Sequence, residues 1–261
     1  WAGSEERLCV YSPHDDDAII GAGYAMRAAL DDGAQVYVFV MCSGNAGYST
    51  PGERETITQT RKREAAACYE AFGIPKDHLL FFDYPDFSAN AYIGWQITPD
   101  REGHFRRALT ALRDLRITRV LAPNDYREHI DHTAAHDMAV CDAPQSGDNV
   151  LVDWATPHSV KSMAQYAVWA DLTPEDALVK GRDTRIRANT VMVVSPDVEQ
   201  TVRAGIGQYV SQQAIIADLV QGREARRLPD GRYLEVYLRF DPRPKLDFAP
   251  YRALVAQTPG L

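Results

Sequence analysis

The sequence predicts an α/β fold: a Rossmann-like, mostly parallel sheet with helices on both faces and extra strands toward the C-terminus. Three observations predict it. Short apolar runs alternate with helical patterns through the first half of the chain. Polar turns rich in Gly and Pro separate them. A cleanly alternating strand follows near the C-terminus. Strands separated by helices require right-handed crossovers and hence parallel pairing, which places ligands at the carboxyl ends of the strands.

The elements follow in order. Leu8 to Tyr11 is a short apolar strand, followed by a helix from about Ala18 to Asp32 that Gly33 stops. Gln35 to Met41, rich in Val and aromatics, reads as a buried strand, and Ser43 to Thr56 as a loop. A helix over Thr58 to Phe72 ends at Gly73 and Pro75, and Leu79 to Phe82 is the third strand. His104 to Leu115 is helical, Arg119 to Ala122 a strand, Ala134 to Val140 a helix and Asp142 to Asp153 a loop. Ala164 to Trp169 and Thr190 to Val194 look like strands, with a long helix over Asp197 to Val220. In Arg232 to Phe240, Leu234, Val236, Leu238 and Phe240 face one way and Tyr233, Glu235, Tyr237 and Arg239 the other, as in a half-exposed antiparallel or edge strand. No repeat or second core is visible, so residues 1–261 form one domain.

Composition narrows the function. Apolar residues make up 45% of the 261 and charged residues 25%, the balance of a globular protein with an extensive core. The net charge of −8 argues against a nucleic-acid binder or a polybasic membrane-surface protein. The longest structural apolar run, Val36 to Cys42, is far short of the roughly 20 residues of a transmembrane span. Trp1 to Arg7 lacks the order of a signal peptide, and Cys9, Cys42 and Cys68 sit in apolar surroundings as buried free thiols. A cytoplasmic location is the expectation, provided no leader has been removed. Nothing sets an oligomeric state.

Two clusters carry chemistry. Ser12-Pro13-His14-Asp15-Asp16-Asp17 lies between the first strand and its helix. One acidic residue there is an ordinary helix cap, but three in a row repel one another unless a cation sits among them. Tyr126-Arg127-Glu128-His129-Ile130-Asp131-His132 follows the strand over Arg119 to Ala122, on the same rim of the sheet. Together they offer a mixed N/O metal site with an open position for water, a carboxylate to take a proton, and a histidine for an oxyanion or leaving amine. Iron(II) is an alternative to zinc, since two histidines and a carboxylate also suit non-haem iron.

Pro13-His14-Asp15-Asp16-Asp17 with His129-Ile130-Asp131-His132 resembles the paired signature of the LmbE-like, or PIG-L, zinc deacetylases. Supporting segments are Cys42-Ser43-Gly44-Asn45-Ala46-Gly47, Arg61-Lys62-Arg63-Glu64, Tyr84-Pro85-Asp86 and Tyr209-Val210-Ser211-Gln212. The resemblance implies that His14, Asp17 and His132 bind zinc and that Asp16 is the general base. It implies that His129 stabilises the oxyanion or assists the leaving amine, with Asp131 orienting it, and that Arg61 and Asp86 bind substrate. The chain departs from the family in carrying Asp15 where Pro is common, and Val202-Arg203-Ala204-Gly205 where many members carry a Lys.

Rival readings attach to several residues. His132 and His136 share a helix face, but Thr133 stands where a metalloprotease needs Glu, which leaves His136 a structural or supporting role. Gly21-Ala22-Gly23 lies inside a helix instead of in the turn a dinucleotide needs, so close packing explains it better. Arg61 reads equally as an ordinary charge on an outer helix face. His158, Trp154 and Trp169 read equally as pocket lining or packing. The expected function is zinc-dependent removal of an acetyl group from an N-acetylglucosamine-type sugar conjugate. Alternatives are an amidase cleaving a thiol–sugar conjugate and a non-catalytic sugar- or nucleotide-binding module.

Overall fold

The first strand, β1 (Arg7–Ser12), is apolar on both sides because the sheet is covered on both. Leu8 and Val10 enter one core, and Cys9 and Tyr11 the other. β2 (Gln35–Cys42) repeats the division, with Val36, Val38 and Val40 opposite Tyr37, Phe39 and Met41. The computed structural model describes residues 2–169, 172, 187–243 and 245–258.

After β1 come α1 (Asp17–Asp31), β2, α2 (Ile57–Phe72) and β3 (Leu79–Tyr84). A small hairpin, β4 (Gln96–Thr98) and β5 (Arg101–Glu102), precedes α3 (Phe105–Asp114), β6 (Arg119–Pro123) and α4 (Ile130–Gln145). The remainder comprises β7 (Ser162–Tyr166), β8 (Thr190–Val194), α5 (Pro196–Ile206), α6 (Gln213–Gly222), β9 (Tyr233–Phe240) and α7 (Ala249–Ala256). The seven-stranded sheet has the order β3-β2-β1-β6-β7-β9-β8. Pairing is parallel from β3 to β7, and β9 runs antiparallel to both neighbours. Residues of α1, α2, α5 and α6 join one core, and residues of α3 and α4 the other.

β1 lies between β2 and β6, so the connections leave it in opposite directions and the chain opens a crevice beyond its carboxyl end. Val10 pairs with Leu121, which brings the segments after β1 and β6 to the same rim. The glycines of α1 serve packing. A Cβ at Gly21 would lie 2.5 Å from the Tyr166 ring, and one at Gly23 2.9 Å from Val202. α1 also bends at Ala22. There Arg223 donates to Ile20 O (2.9 Å) and Glu235 accepts from Tyr24 N (3.1 Å), the two groups that an unbroken helix would join.

Three expectations are corrected, and a fourth is narrowed. The single helix over Asp197 to Val220 is broken into α5, a tight turn at Val210–Gln212 and α6. Gly205 and Gly207 weaken helix there, and the break sends Tyr209 and Gln212 inward to buried partners. The loop expected from Asp142 is helical to Gln145, because Pro144 in the final turn removes only one backbone bond. Asp142 is itself buried and accepts from Tyr11 Oη (3.0 Å), with His104 Nε2 2.7 Å away. The strand expected to reach Trp169 ends at Tyr166, since the next amides, of Val168 and Trp169, donate to Glu128 (2.8 and 3.0 Å). β9 is antiparallel, one of the two readings expected of it, and lies inside the sheet instead of at its edge, with Tyr233, Glu235 and Tyr237 on its buried face.

Candidate metal-dependent active site

The turn from β1 into α1 is held from within. Ser12 Oγ donates to His14 O (2.5 Å) and accepts from Ala18 N (3.0 Å), closing the loop over the helix N-terminus. Tyr69 and Tyr209 both donate their hydroxyls to Asp15 O, at 2.9 and 2.6 Å. Asp17 Oδ2 accepts from His14 N (2.8 Å) and lies 3.1 Å from both His14 Nδ1 and His132 Nε2. The second motif enters through α4, whose N-cap is His129. One ligand atom from each of His14, Asp17 and His132 lies within 4.8 Å of the others, so the two clusters meet as their spacing predicts.

The donor set suits a dication. Burial alone would lower the His14 imidazole, but Asp131 and Asp17 outweigh it and raise it to about 10. His132 is likewise lowered by burial and raised, on balance, to about 9 by Asp17 and Glu128. Burial would raise Asp17, yet the His132 and His14 rings hold it well below the usual carboxylate range. A site whose histidines retain protons because anionic oxygens face them is one that a metal can occupy in the protons' place.

Asp16 stands apart from these donors. Burial raises its carboxyl to about 6; Arg61 opposes the rise, while Asp15 and Asp17 add to it. His129 is lowered, first by burial and then by the charge on His14. Its Nδ1 accepts from Asp131 N (3.2 Å), which leaves Nε2 as the N–H donor of the neutral ring. The Asp131 carboxylate lies 3.5 Å from His129 Nδ1 and 3.4 Å from His14 Nε2. It also accepts from Phe87 N (2.6 Å) and Ala89 N (3.1 Å), tying the loop after β3 to the site.

The residues expected to touch substrate have defined partners. Arg61 is buried, contrary to the reading of it as an outer-face charge. Its guanidinium pairs with Asp15, reaches Asp16 at 3.3 Å and donates to Gln212 Oε1 (2.9 Å). It thus balances the extra carboxylate of this chain. Asp86 accepts from Gly44 N and Ala46 N, both at 2.8 Å, and so fixes the loop after β2. Both residues line the same cavity of about 420 Å³ as His14, Asp16, His129 and His132. Trp169 lines it too, whereas Trp154 packs against Trp95 and Phe105. His136 turns to Pro123 O (2.9 Å) and is not among the clustered ligands.

One residue of the second motif has a role that the sequence reading did not assign. Glu128 Oε2 lies 2.6 Å from His132 Nδ1, and Oε1 accepts the Val168 and Trp169 amides. A carboxylate on the far nitrogen of a ligand histidine fixes its tautomer and strengthens it as a donor. The available signal was its place one helical turn before His132.

Comparison with known proteins follows this geometry. The model of a family described as PIG-L, GlcNAc-PI de-N-acetylase, matches residues 9–142. Diacetylchitobiose deacetylase of Thermococcus kodakarensis is 25% identical over 169 residues, 61% of this chain and 58% of its own length, so the match spans little more than half of that relative. N,N'-diacetylchitobiose deacetylase of Pyrococcus horikoshii superposes with a TM-score of 0.67 at 18% identity, over 91% of this chain and 84% of that one. The 4-carboxy-2-hydroxymuconate hydratase of Pseudomonas putida does so with 0.65 at 18%, over 94% and 100%. A fold shared by deacetylase and hydratase leaves the chemistry to be argued from the site.

Proposed function

We propose a function from one premise: the chain belongs to the PIG-L family. The protein is a metal-dependent hydrolase that removes the acetyl group from an N-acetylglucosamine-type sugar conjugate. The observation that carries this reading is the grouping of His14, Asp17 and His132 within 4.8 Å, with the Asp16 carboxylate lining the same cavity. His14, Asp17 and His132 would hold a zinc or iron(II) ion, which would supply Lewis acidity and a lowered pKa for water.

The chain's own groups do the rest. Asp16 takes the proton of the attacking water, as a base whose ordinary strength burial has raised. Arg61 keeps it from rising so far that it is protonated at neutral pH. His129 presents its Nε2–H to the charge that develops as the carbonyl is attacked, and the Asp131 backbone amide fixes that tautomer. A C–O bond forms, the amide C–N bond breaks, acetate departs, and the amine leaves with the proton that Asp16 took from the water.

The test joins metal content to product. About one metal per chain is expected, lost in both His14→Ala and His132→Ala. Stoichiometric acetate from an N-acetylglucosaminide is expected from the parent chain only. Metal retained by both variants would show that the two motifs do not share a site. Release of a larger acyl group from a thiol–sugar conjugate, with no acetate from any N-acetyl sugar, would identify an amidase.

A further inference from the structure

The cavity beside the proposed metal site is lined by two unlike groups of residues, among others. One is formed by His14, Asp16, Asp17, His129 and His132, and the other by Ile20, Ile215, Ile216 and Leu219, with Trp169. Ile215 and Leu219 lie one turn apart on α6, with Ile216 beside them, so a single helix face makes most of this wall. The polar residues of that helix, Gln213, Asp218 and Gln221, are exposed, and none lines the cavity. Gln212, just before α6, is committed to Arg61 (2.9 Å) and Gly47 O (2.8 Å). The wall therefore offers a ligand no side-chain hydrogen bond from α6.

It is also open. Ile215 is 44% exposed and Trp169 49%, although both are large and apolar. Exposed apolar residues that line a polar site mark a surface that a ligand can cover. A second sugar ring against Ile20, Ile215, Ile216 and Leu219 would find no side-chain partner from α6 for the hydroxyls facing the wall. An alkyl or aryl group loses nothing there and gains by leaving water.

We propose that this wall binds an apolar aglycone, so that the substrate is an N-acetylglucosaminide carrying an alkyl or aryl group in preference to a second sugar. This rests on the deacetylase reading and adds the substrate class. The chain then acts on the product of a glycosyl transfer to an apolar acceptor and releases the free amino sugar conjugate.

The experiment uses the full chain with methyl, butyl and hexyl N-acetyl-β-glucosaminides and diacetylchitobiose. Acetate release gives kcat/KM, and calorimetry gives binding independently of turnover. We expect kcat/KM to rise about ten- to hundredfold from methyl to hexyl, mostly through KM, with diacetylchitobiose below hexyl. In Ile215→Asn, at an exposed position that can change without unfolding, the hexyl-to-methyl ratio should fall toward one. A flat series, a preference for diacetylchitobiose, or an unchanged ratio in that variant would overturn the proposal. If no compound yields acetate, the deacetylase reading fails separately. Calorimetry then decides the wall: tighter hexyl than methyl binding supports it, and equal binding overturns it.

Discussion

The His/Asp lining of the cavity comes from two short stretches of chain, 12–17 and 128–132, whereas the apolar lining is gathered from Ile20, Trp169 and helix α6. The first side needs particular atoms at fixed places: two imidazoles and a carboxylate within 4.8 Å, and another carboxylate outside that group. Only certain residues at certain offsets from a strand end supply them. The second side needs only shape and the absence of polar groups, which many sequences satisfy. A chemical site is thus written locally, while the wall beside it is written in how the chain folds back.

The comparison breaks most sharply at Asp16. Asp16→Asn leaves the three clustered ligands and the wall untouched, so metal content and hexyl-glucosaminide binding should stay near the parent's. kcat should fall by about 10² to 10⁴, the contribution of a positioned base. Steady-state kinetics beside elemental analysis checks both. Turnover within a few-fold of the parent would remove Asp16 from the role of base.

Glu128 joins the two sides, since one oxygen faces His132 Nδ1 and the other holds the amides of Val168 and Trp169. Glu128→Gln keeps the shape and removes the charge. Metal affinity should weaken about 10- to 100-fold, as for other groups that orient a ligand histidine. Competition with a chromogenic chelator measures it. The hexyl-to-methyl ratio should change far less, because an amide oxygen can still accept from the two backbone amides. Equal loss on both counts would mean that the sides are one coupled unit.

The same contrast explains what the sequence disclosed. The parallel core was legible because Val36 to Met41 is apolar on both faces, which only a doubly covered strand tolerates. That the two His/Asp clusters share one rim was legible because each follows a strand of the parallel sheet, and β1 and β6 are neighbours. Arg61 was ambiguous, since an inward charge on α2 looks the same in sequence as an outward one, and only the facing Asp15 and Gln212 decide its direction. The break between α5 and α6 was hidden for the same reason. Val210 to Val220 continues a helical pattern, and the partners of Tyr209 and Gln212 lie far away in sequence at Asp15, Gly47 and Arg61.

Arg61 also gives the smallest and most discriminating of the expected effects, because it supports the chemistry without being needed to bind the metal. Its charge lowers the Asp16 carboxyl, which burial and the neighbouring carboxylates nonetheless raise to about 6. If Asp16 is the base it works ionised, so activity is expected to fall as pH drops through its value. Removing the positive charge makes the anion harder to form, so the value rises and the limb moves to higher pH. Arg61→Met should therefore shift the acid limb of kcat/KM upward by up to about one unit, a tenfold loss at a given pH on the limb. Its effect should become small on the plateau. Arg61→Lys keeps the charge but cannot reproduce the forked contacts to Asp15, Asp16 and Gln212. It should restore most of the limb's position while remaining less stable to heat. Were Arg61 only a packing residue, Met and Lys would lower the plateau alike and leave the limb where it was.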